Sequence, residues 1–85
     1  MSSVEIYTTP TCGFCHAAKR LLTSKGVAFQ EISLAQQPEK RAEMMQRANG
    51  GRTVPQIFVG EVHVGGCDDL YALEQAGKLD ALLAA

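Results

Sequence analysis

Two cysteines separated by two residues, Cys12 and Cys15, are the pair in this sequence best suited to chemistry. They stand where an alternating segment, Val4 to Tyr7, gives way to a run with helical spacing that starts at Phe14. A helix N-terminus carries unpaired amide N–H groups and a partial positive charge, and both stabilise a thiolate. We therefore predict that Cys12 is the attacking thiolate and that Cys15, one turn on, is a more enclosed resolving thiol.

The same cysteines allow other interpretations. Cys12 to His16 also matches the C-x-x-C-H pattern of haem attachment, which needs an exported chain and a distal axial ligand. A zinc site would need four ligands, and the further candidates His16, His63 and Cys67 have no regular spacing. We interpret His16 as a surface residue and His63 as structural. A helix cap made of two inert cysteines is the remaining alternative, but a C-x-x-C pair at a strand–helix junction favours redox chemistry.

A second segment of interest is Thr53-Val54-Pro55, which opens a predicted strand. A proline at the start of a strand removes one donor from the ladder, so the backbone before it is often free. If the Val54–Pro55 bond is cis, Val54 turns its own N–H and C=O outward, where they can pair with an extended, peptide-like ligand. We expect the cis bond because of the redox pair elsewhere in the chain.

The third segment runs from Gly65-Gly66 through Cys67 to Asp68-Asp69. The two glycines let a ligand approach the backbone closely, and the helix start that follows offers amides to a carboxylate. Asp68 either accepts from a ligand ammonium or caps its own helix, and both roles are compatible. We interpret Cys67 as a small residue in this turn rather than as a third redox centre.

The remaining patterns predict the elements that hold these three segments. A first strand is followed by a helix that stops at Gly26, a second strand, and a second helix closed by Asn49-Gly50. A hairpin and C-terminal helices complete the chain. The predicted bounds are Val4–Tyr7, Phe14–Lys25, Val27–Ile32, Pro38–Ala48, Gln56–Val59 and Val62–Val64, then a helix after Asp68-Asp69 and a last turn carrying Leu79, Leu82 and Leu83. The order βαβαββα(α) predicts an α/β fold, a small mixed sheet flanked by helices.

Composition limits the possible functions. The 85 residues predict one domain, 1–85, with 46% hydrophobic and 20% charged residues. A net charge of −1 gives no electrostatic basis for binding nucleic acid or an anionic membrane. Neither a membrane-spanning run nor a signal peptide is present, the latter judged on Met1 to Glu5, so we expect a cytoplasmic protein. Three cysteines, an odd number, do not suit a secreted disulfide scaffold.

Together, Cys12-Gly13-Phe14-Cys15, Thr53-Val54-Pro55 and Gly65-Gly66-Cys67-Asp68-Asp69 closely resemble, in this order and spacing, the small bacterial dithiol glutaredoxins. The resemblance covers essentially the full chain. It implies a thioredoxin-like fold with a four-stranded mixed sheet and a cis-proline at Pro55. It also implies that glutathione is the reductant, supplied through NADPH and glutathione reductase, and that the enzyme reduces glutathionylated and disulfide-containing proteins.

The resemblance assigns roles to individual residues. Cys12 forms the mixed disulfide with glutathione, and Cys15 serves the reduction of protein disulfides. Val54 pairs with the cysteinyl backbone, while Cys67 and Asp68 meet the γ-glutamyl carboxylate and ammonium. Many relatives carry a lysine for the glycyl carboxylate where this chain has Thr9, so Arg52 is the alternative cation and glutathione affinity is expected to be weakened. The implied glutathione site comprises Phe14, Arg52, Thr53, Val54, Pro55, Gly66, Cys67 and Asp68.

Gly13 and Phe14 replace the proline and tyrosine that usually separate the two cysteines of this family. A Cys-Gly-Phe core also resembles the monothiol glutaredoxins, in which two protomers and glutathione hold a [2Fe–2S] cluster. An alternative function is therefore cluster carriage or sensing by a dimer, with Cys12 as the protein ligand. The retained Cys15 distinguishes this chain from those proteins. Without a cluster, we expect a monomer.

Overall fold

The computed structural model describes residues 3–85, which form four strands and four helices. Met1 and Ser2, part of the segment on which the absence of a signal peptide was judged, lie outside this range. The elements are β1 (Val4–Thr8), α1 (Gly13–Ser24), β2 (Gln30–Ser33), α2 (Lys40–Arg47), β3 (Gln56–Val59), β4 (Val62–Gly65), α3 (Cys67–Gln75) and α4 (Leu79–Ala84). The predicted order βαβαββα(α) is confirmed. None of the described helices is long and apolar enough to cross a bilayer.

The four strands form one mixed sheet in the order β2-β1-β3-β4. β1 runs parallel to β2 and antiparallel to β3, and β3 pairs antiparallel with β4. The β3–β4 register is irregular: Ile57 faces Gly65 while Phe58 faces His63, which leaves one extra residue, Val64, on β4. The predicted mixed sheet, parallel pair and hairpin are confirmed, as is the thioredoxin-like fold.

Strand alternation divides the core between the two faces of the sheet. Because successive side chains of a strand point to opposite faces, Val4 and Ile6 of β1 lie on one face and Tyr7 on the other. The first face packs against residues of α1, α3 and α4, and the second against Met44 of α2 and Ala48, the residue that follows this helix. A helix layer therefore covers each face, and burial of these apolar side chains stabilises the fold.

The second strand begins at Gln30, three residues later than predicted. The Val27 N–H donates to the Leu22 carbonyl at 3.3 Å, so this residue still closes the C-terminus of α1. Gly26 has φ of 70°, the left-handed conformation expected at a helix stop. The predicted stop is thus correct, but its capping motif uses Val27, a residue predicted to belong to the strand.

The second helix begins at Lys40, two residues later than predicted from Pro38. The Arg41 N–H donates to the Pro38 carbonyl at 3.2 Å, so the residues before the helix form a tighter turn. Asn49 and Gly50 have φ of 54° and 91° and close the helix as predicted.

Candidate active site

Cys12 caps the N-terminus of α1. Its backbone is extended, with φ −91° and ψ 108°, and its Sγ accepts a hydrogen bond from the Cys15 N–H at 3.1 Å. The first turn of α1 contains no acidic residue that would repel a thiolate. The side chain is half-buried, so a disulfide can reach the sulfur. The helix-start geometry predicted for Cys12 is confirmed, and both the amide and the helix dipole favour its anionic form.

Cys15 is fully buried. Burial, followed by a hydrogen bond with the Cys12 side chain, raises the pKa of Cys15 to about 12. At neutral pH this residue is therefore a neutral thiol enclosed beneath Cys12. The predicted difference in exposure between the two cysteines is confirmed.

Val54 lies next to the sulfur of Cys12. The Cys12 Sγ–H donates to the Val54 carbonyl at 3.6 Å, and the Val54–Pro55 bond is cis, as expected. The Val54 N–H has no acceptor within residues 3–85. Next to the Cys12 sulfur, the Val54 N–H is therefore unpaired among the described residues. The Val54 carbonyl accepts only from the Cys12 thiol within the same range.

The start of α3 is capped by Asp69, whose Oδ2 accepts from the Gly66 N–H at 3.0 Å. The sequence predicted a helix cap at Asp68-Asp69, and the structure gives this role to Asp69 rather than Asp68, because position N3 is the one that reaches back to the N-cap. Gly65 has φ of 113° and leaves no room for a Cβ beside the Asp69 carboxylate. Asp68 is exposed and makes no hydrogen bond within the described residues.

Cys67 is the first residue of α3 and is only 6% exposed. Burial raises its pKa, and the charges of Asp68 and Cys12 raise it further. Cys67 is therefore a neutral, small side chain at neutral pH, and it lies in the first turn of α3 rather than in the turn before it.

A groove of about 430 Å³ runs beside these elements. Its size lies within the usual range for small-ligand sites. It brings together seven of the residues predicted for the glutathione site: Phe14, Thr53, Val54, Pro55, Gly66, Cys67 and Asp68. Cys12 adjoins the groove through its contact with Val54. Arg52 does not line it: its side chain is exposed, and its carbonyl accepts from Arg41 Nη1 at 3.1 Å.

Gln56 and His63 also line the groove, and sequence reasoning did not place them in the site. His63 Nε2 lies 2.7 Å from Gln56 Oε1, and the imidazole stacks on Phe58 with ring centroids 4.9 Å apart. The structural interpretation of His63 is confirmed by these contacts. The sequence contains one signal for Gln56: it is a polar residue at the start of a strand whose other residues, Ile57-Phe58-Val59, are apolar.

The described residues contain no group of three or more His, Cys, Asp or Glu side chains placed to hold a metal ion. His16 is exposed, with its Nε2 3.3 Å from the Pro10 carbonyl, as expected of a surface residue. Met44 is fully buried against the sheet and belongs to the core.

Comparison with known proteins agrees with this geometry. The glutaredoxin family model matches residues 4–64. A glutaredoxin of Pseudomonas aeruginosa is 62% identical over 85 residues, 100% of both chains. Glutaredoxin 3 of Escherichia coli K12 is 58% identical over 83 residues, 98% of this chain and 99% of that one.

Two solved structures are similar over nearly the whole chain. The solution structure of a glutaredoxin from Brucella melitensis superposes with a TM-score of 0.83 and is 60% identical, covering 98% of this chain and 89% of that one. The crystal structure of a buckwheat glutaredoxin–glutathione complex superposes with a TM-score of 0.89 at 32% identity, covering 98% and 77%. The thiol pair at the helix start, the fold and these relatives lead to one conclusion: the chain belongs to the glutaredoxin family of thiol–disulfide oxidoreductases.

Proposed function

We propose that this chain reduces glutathione mixed disulfides and protein disulfides with glutathione as the reductant. The observation that carries the proposal is the position of Cys12, whose sulfur accepts from a helix amide and adjoins the groove at Val54. The family supports thiol–disulfide exchange, and a related buckwheat glutaredoxin has been crystallised with glutathione. The reducing cytoplasm, where glutathione keeps thiols reduced, is the compartment that suits this reaction.

The groove has the polar groups that a glutathione moiety needs. Glutathione contains peptide bonds, two carboxylates and one ammonium. The N–H and C=O of Val54 can pair with its cysteinyl backbone, because loss of the Cys12 proton frees the Val54 carbonyl. The first amides of α3 suit the γ-glutamyl carboxylate, and the exposed carboxylate of Asp68 suits the ammonium. Phe14, 68% exposed, offers an aromatic face in the groove.

With a glutathionylated protein, the Cys12 thiolate attacks the glutathione sulfur. A Cys12–glutathione disulfide forms, the sulfur–sulfur bond between the substrate protein and glutathione breaks, and the protein leaves as a thiolate that takes up a proton. A second glutathione thiolate then attacks the sulfur of the bound glutathione. This step forms oxidised glutathione and returns Cys12 as a thiolate. One free glutathione is consumed, and the other half of the oxidised glutathione comes from the substrate.

With a protein disulfide, the Cys12 thiolate forms a mixed disulfide with one substrate sulfur and releases the other as a thiol. Cys15 then loses its proton and attacks the Cys12 sulfur. The second substrate thiol leaves, and a Cys12–Cys15 disulfide remains for two glutathione molecules to reduce. Burial keeps Cys15 protonated in the reduced enzyme, which limits its reaction with other oxidants before Cys12 has reacted.

A coupled assay with glutathione, glutathione reductase and NADPH tests the proposal. Cys12→Ser should abolish turnover of a glutathionylated substrate and of a protein disulfide. Cys15→Ser should keep the first activity and lose the second, since glutathione itself completes the first reaction. Far-ultraviolet circular dichroism of both variants controls for folding. Equal loss of the first activity in two folded variants would contradict the assignment of Cys12 as nucleophile and Cys15 as resolving thiol.

The alternative function is a [2Fe–2S] cluster held between two protomers. Such a cluster takes four ligands, commonly thiolates. Within residues 3–85, Cys12 is the one cysteine that is not buried, so each protomer offers one thiolate and the other two ligands would have to come from glutathione. A coloured dimer after anaerobic reconstitution, together with an inactive colourless monomer, would favour the alternative over the reductase. A colourless protein without activity would indicate a binding module.

A further inference from the structure

A chain of hydrogen bonds connects β4 to the loop before β3. His63 Nε2 and Gln56 Oε1 are 2.7 Å apart, and Gln56 Nε2 donates to the Thr53 carbonyl at 3.0 Å. The amide oxygen of Gln56 can only accept, so the His63 imidazole is the donor in the first bond. Because the Gln56 amide oxygen accepts from His63, the NH₂ group of the same amide faces Thr53. The imidazole thus sets the orientation of this amide.

Burial and packing hold the two side chains in this arrangement. Gln56 is only 5% exposed, so an unpaired amide oxygen there would be costly. The His63 ring stacks on Phe58 with an interplanar angle of 25°, and the Arg47 guanidinium also contacts the Phe58 ring, 4.1 Å from its centroid. The imidazole therefore has one packed orientation, with its Nε2 directed at Gln56.

The bond to Thr53 determines where the Val54 N–H points. The carbonyl of Thr53 and the N–H of Val54 belong to one planar peptide group, and in a trans peptide they point in opposite directions. The Val54–Pro55 bond is the one cis peptide in residues 3–85, so the Thr53–Val54 bond is trans. With its carbonyl held by Gln56, this peptide directs the unpaired Val54 N–H away from the Gln56 amide. Val54 itself lines the groove, as Thr53 and Gln56 do.

We propose that His63 is a positioning residue: through Gln56 it orients the Thr53–Val54 peptide so that the Val54 N–H is directed at the backbone of a thiol-containing peptide ligand. The inference deepens the proposed function and rests on it, since the ligand is glutathione or its mixed disulfide. His63 makes no chemical contribution to disulfide exchange. Its effect is on ligand binding, and so on KM rather than on kcat.

Two substitutions at His63 separate hydrogen bonding from packing. His63→Phe keeps a planar ring that can stack on Phe58 but removes the donor to Gln56. His63→Gln loses the ring but places an amide NH₂ close to the position of Nε2, so the donor is retained. We expect His63→Phe to raise KM for a glutathionylated peptide about three- to tenfold, as expected for loss of one buried hydrogen bond, with kcat within about twofold. His63→Gln should remain close to wild type.

Nuclear magnetic resonance gives a readout that does not depend on turnover. In ¹H–¹⁵N spectra of the reduced protein, the Val54 amide signal should move in His63→Phe and stay near its wild-type position in His63→Gln. Equal KM values and equal Val54 shifts in the two variants would overturn the inference. If wild type itself fails to turn over glutathione mixed disulfides, the proposed function fails, and the role of His63 in ligand binding fails with it. The Val54 shifts would then report on the peptide orientation alone.

Discussion

The Cys12 sulfur and the Val54 carbonyl are in contact at 3.6 Å, although 42 residues separate them in the chain. Antiparallel pairing of β1 with β3 brings them together, because the end of β1 and the start of β3 lie at the same end of the sheet. Tyr7 of β1 faces Gln56 of β3 in this register. Cys12 follows β1 in the chain, and Val54 precedes β3. The register between β1 and β3 therefore places the Val54 backbone beside the cysteine pair.

Selective alkylation should reveal the difference between the three thiols. At neutral pH, iodoacetamide should modify Cys12 at least about tenfold faster than Cys15 or Cys67, because both of the latter are buried and burial raises their pKa values. Peptide mass spectrometry after timed quenching measures each rate. In Cys12→Ser, labelling of the folded protein should be slow at both remaining sites. Similar rates for Cys12 and Cys15 in wild type would contradict the proposed roles.

Gly65→Ala should destabilise the protein more than Gly77→Ala. Both glycines have positive φ, 113° and 72°, but an alanine Cβ at Gly65 would meet the Asp69 carboxylate, while at Gly77 it would meet nothing within 4 Å. We expect a loss of about 1 kcal/mol at Gly77 from backbone strain alone, and of about 2–4 kcal/mol at Gly65, where the capping bond from Gly66 is also disturbed. Urea unfolding measures both. Equal losses of unfolding free energy in the two variants would mean that the Asp69 side chain moves away from the new Cβ at no cost.

The Glu31 carboxylate should make stability depend on acidity. Hydrogen bonds from the Thr8 hydroxyl, at 2.7 Å, and from Lys19 lower the pKa of Glu31 below its ordinary value of 4.5. A lowered folded-state pKa gives stability that is present above about pH 4.5 and is lost as pH falls through the folded value. Glu31→Gln should therefore be less stable than wild type at neutral pH, and the difference should shrink in acid.

Urea unfolding between neutral pH and pH of about 3, below the reference glutamate pKa, measures this dependence. Glu61→Gln is the matched control, since Glu61 is exposed and has no hydrogen bond or ion pair within residues 3–85. The free energy of unfolding of Glu61→Gln should change with pH in the same way as that of wild type. The same pH dependence in Glu31→Gln would show that Thr8 and Lys19 do not couple to the ionisation of Glu31.

Phe14→Ala should separate ligand binding from folding. The ring is 68% exposed, so its removal should change the free energy of unfolding by no more than about 0.5 kcal/mol. The KM for a glutathionylated peptide should rise about two- to tenfold through loss of an aromatic contact, and Phe14→Tyr should keep the wild-type value. Steady-state kinetics and urea unfolding measure the two effects. An unchanged KM in Phe14→Ala would remove this ring from the binding site.

Local patterns predicted much of this protein because they act within a few residues. The C-x-x-C spacing and the start of a helical run placed Cys12 at a helix N-cap. Gly26 stopped that helix as predicted, since the left-handed conformation at a C-terminus depends on the residue itself. Hairpin spacing likewise gave β3 and β4. Local patterns failed where a capping motif competed with strand propensity, as at Val27.

The amino-acid sequence by itself thus determined the type of chemistry, the order of the elements and the accessible thiol at the start of a helix, because each follows from short-range spacing and backbone preference. Only the tertiary structure decided which distant groups meet that thiol. Cross-strand register placed Val54 beside Cys12, stacked His63 on Phe58 and bonded it to Gln56, and left Arg52 outside the groove. These relationships depend on long-range packing between strands and loops, which residue spacing along the chain does not specify.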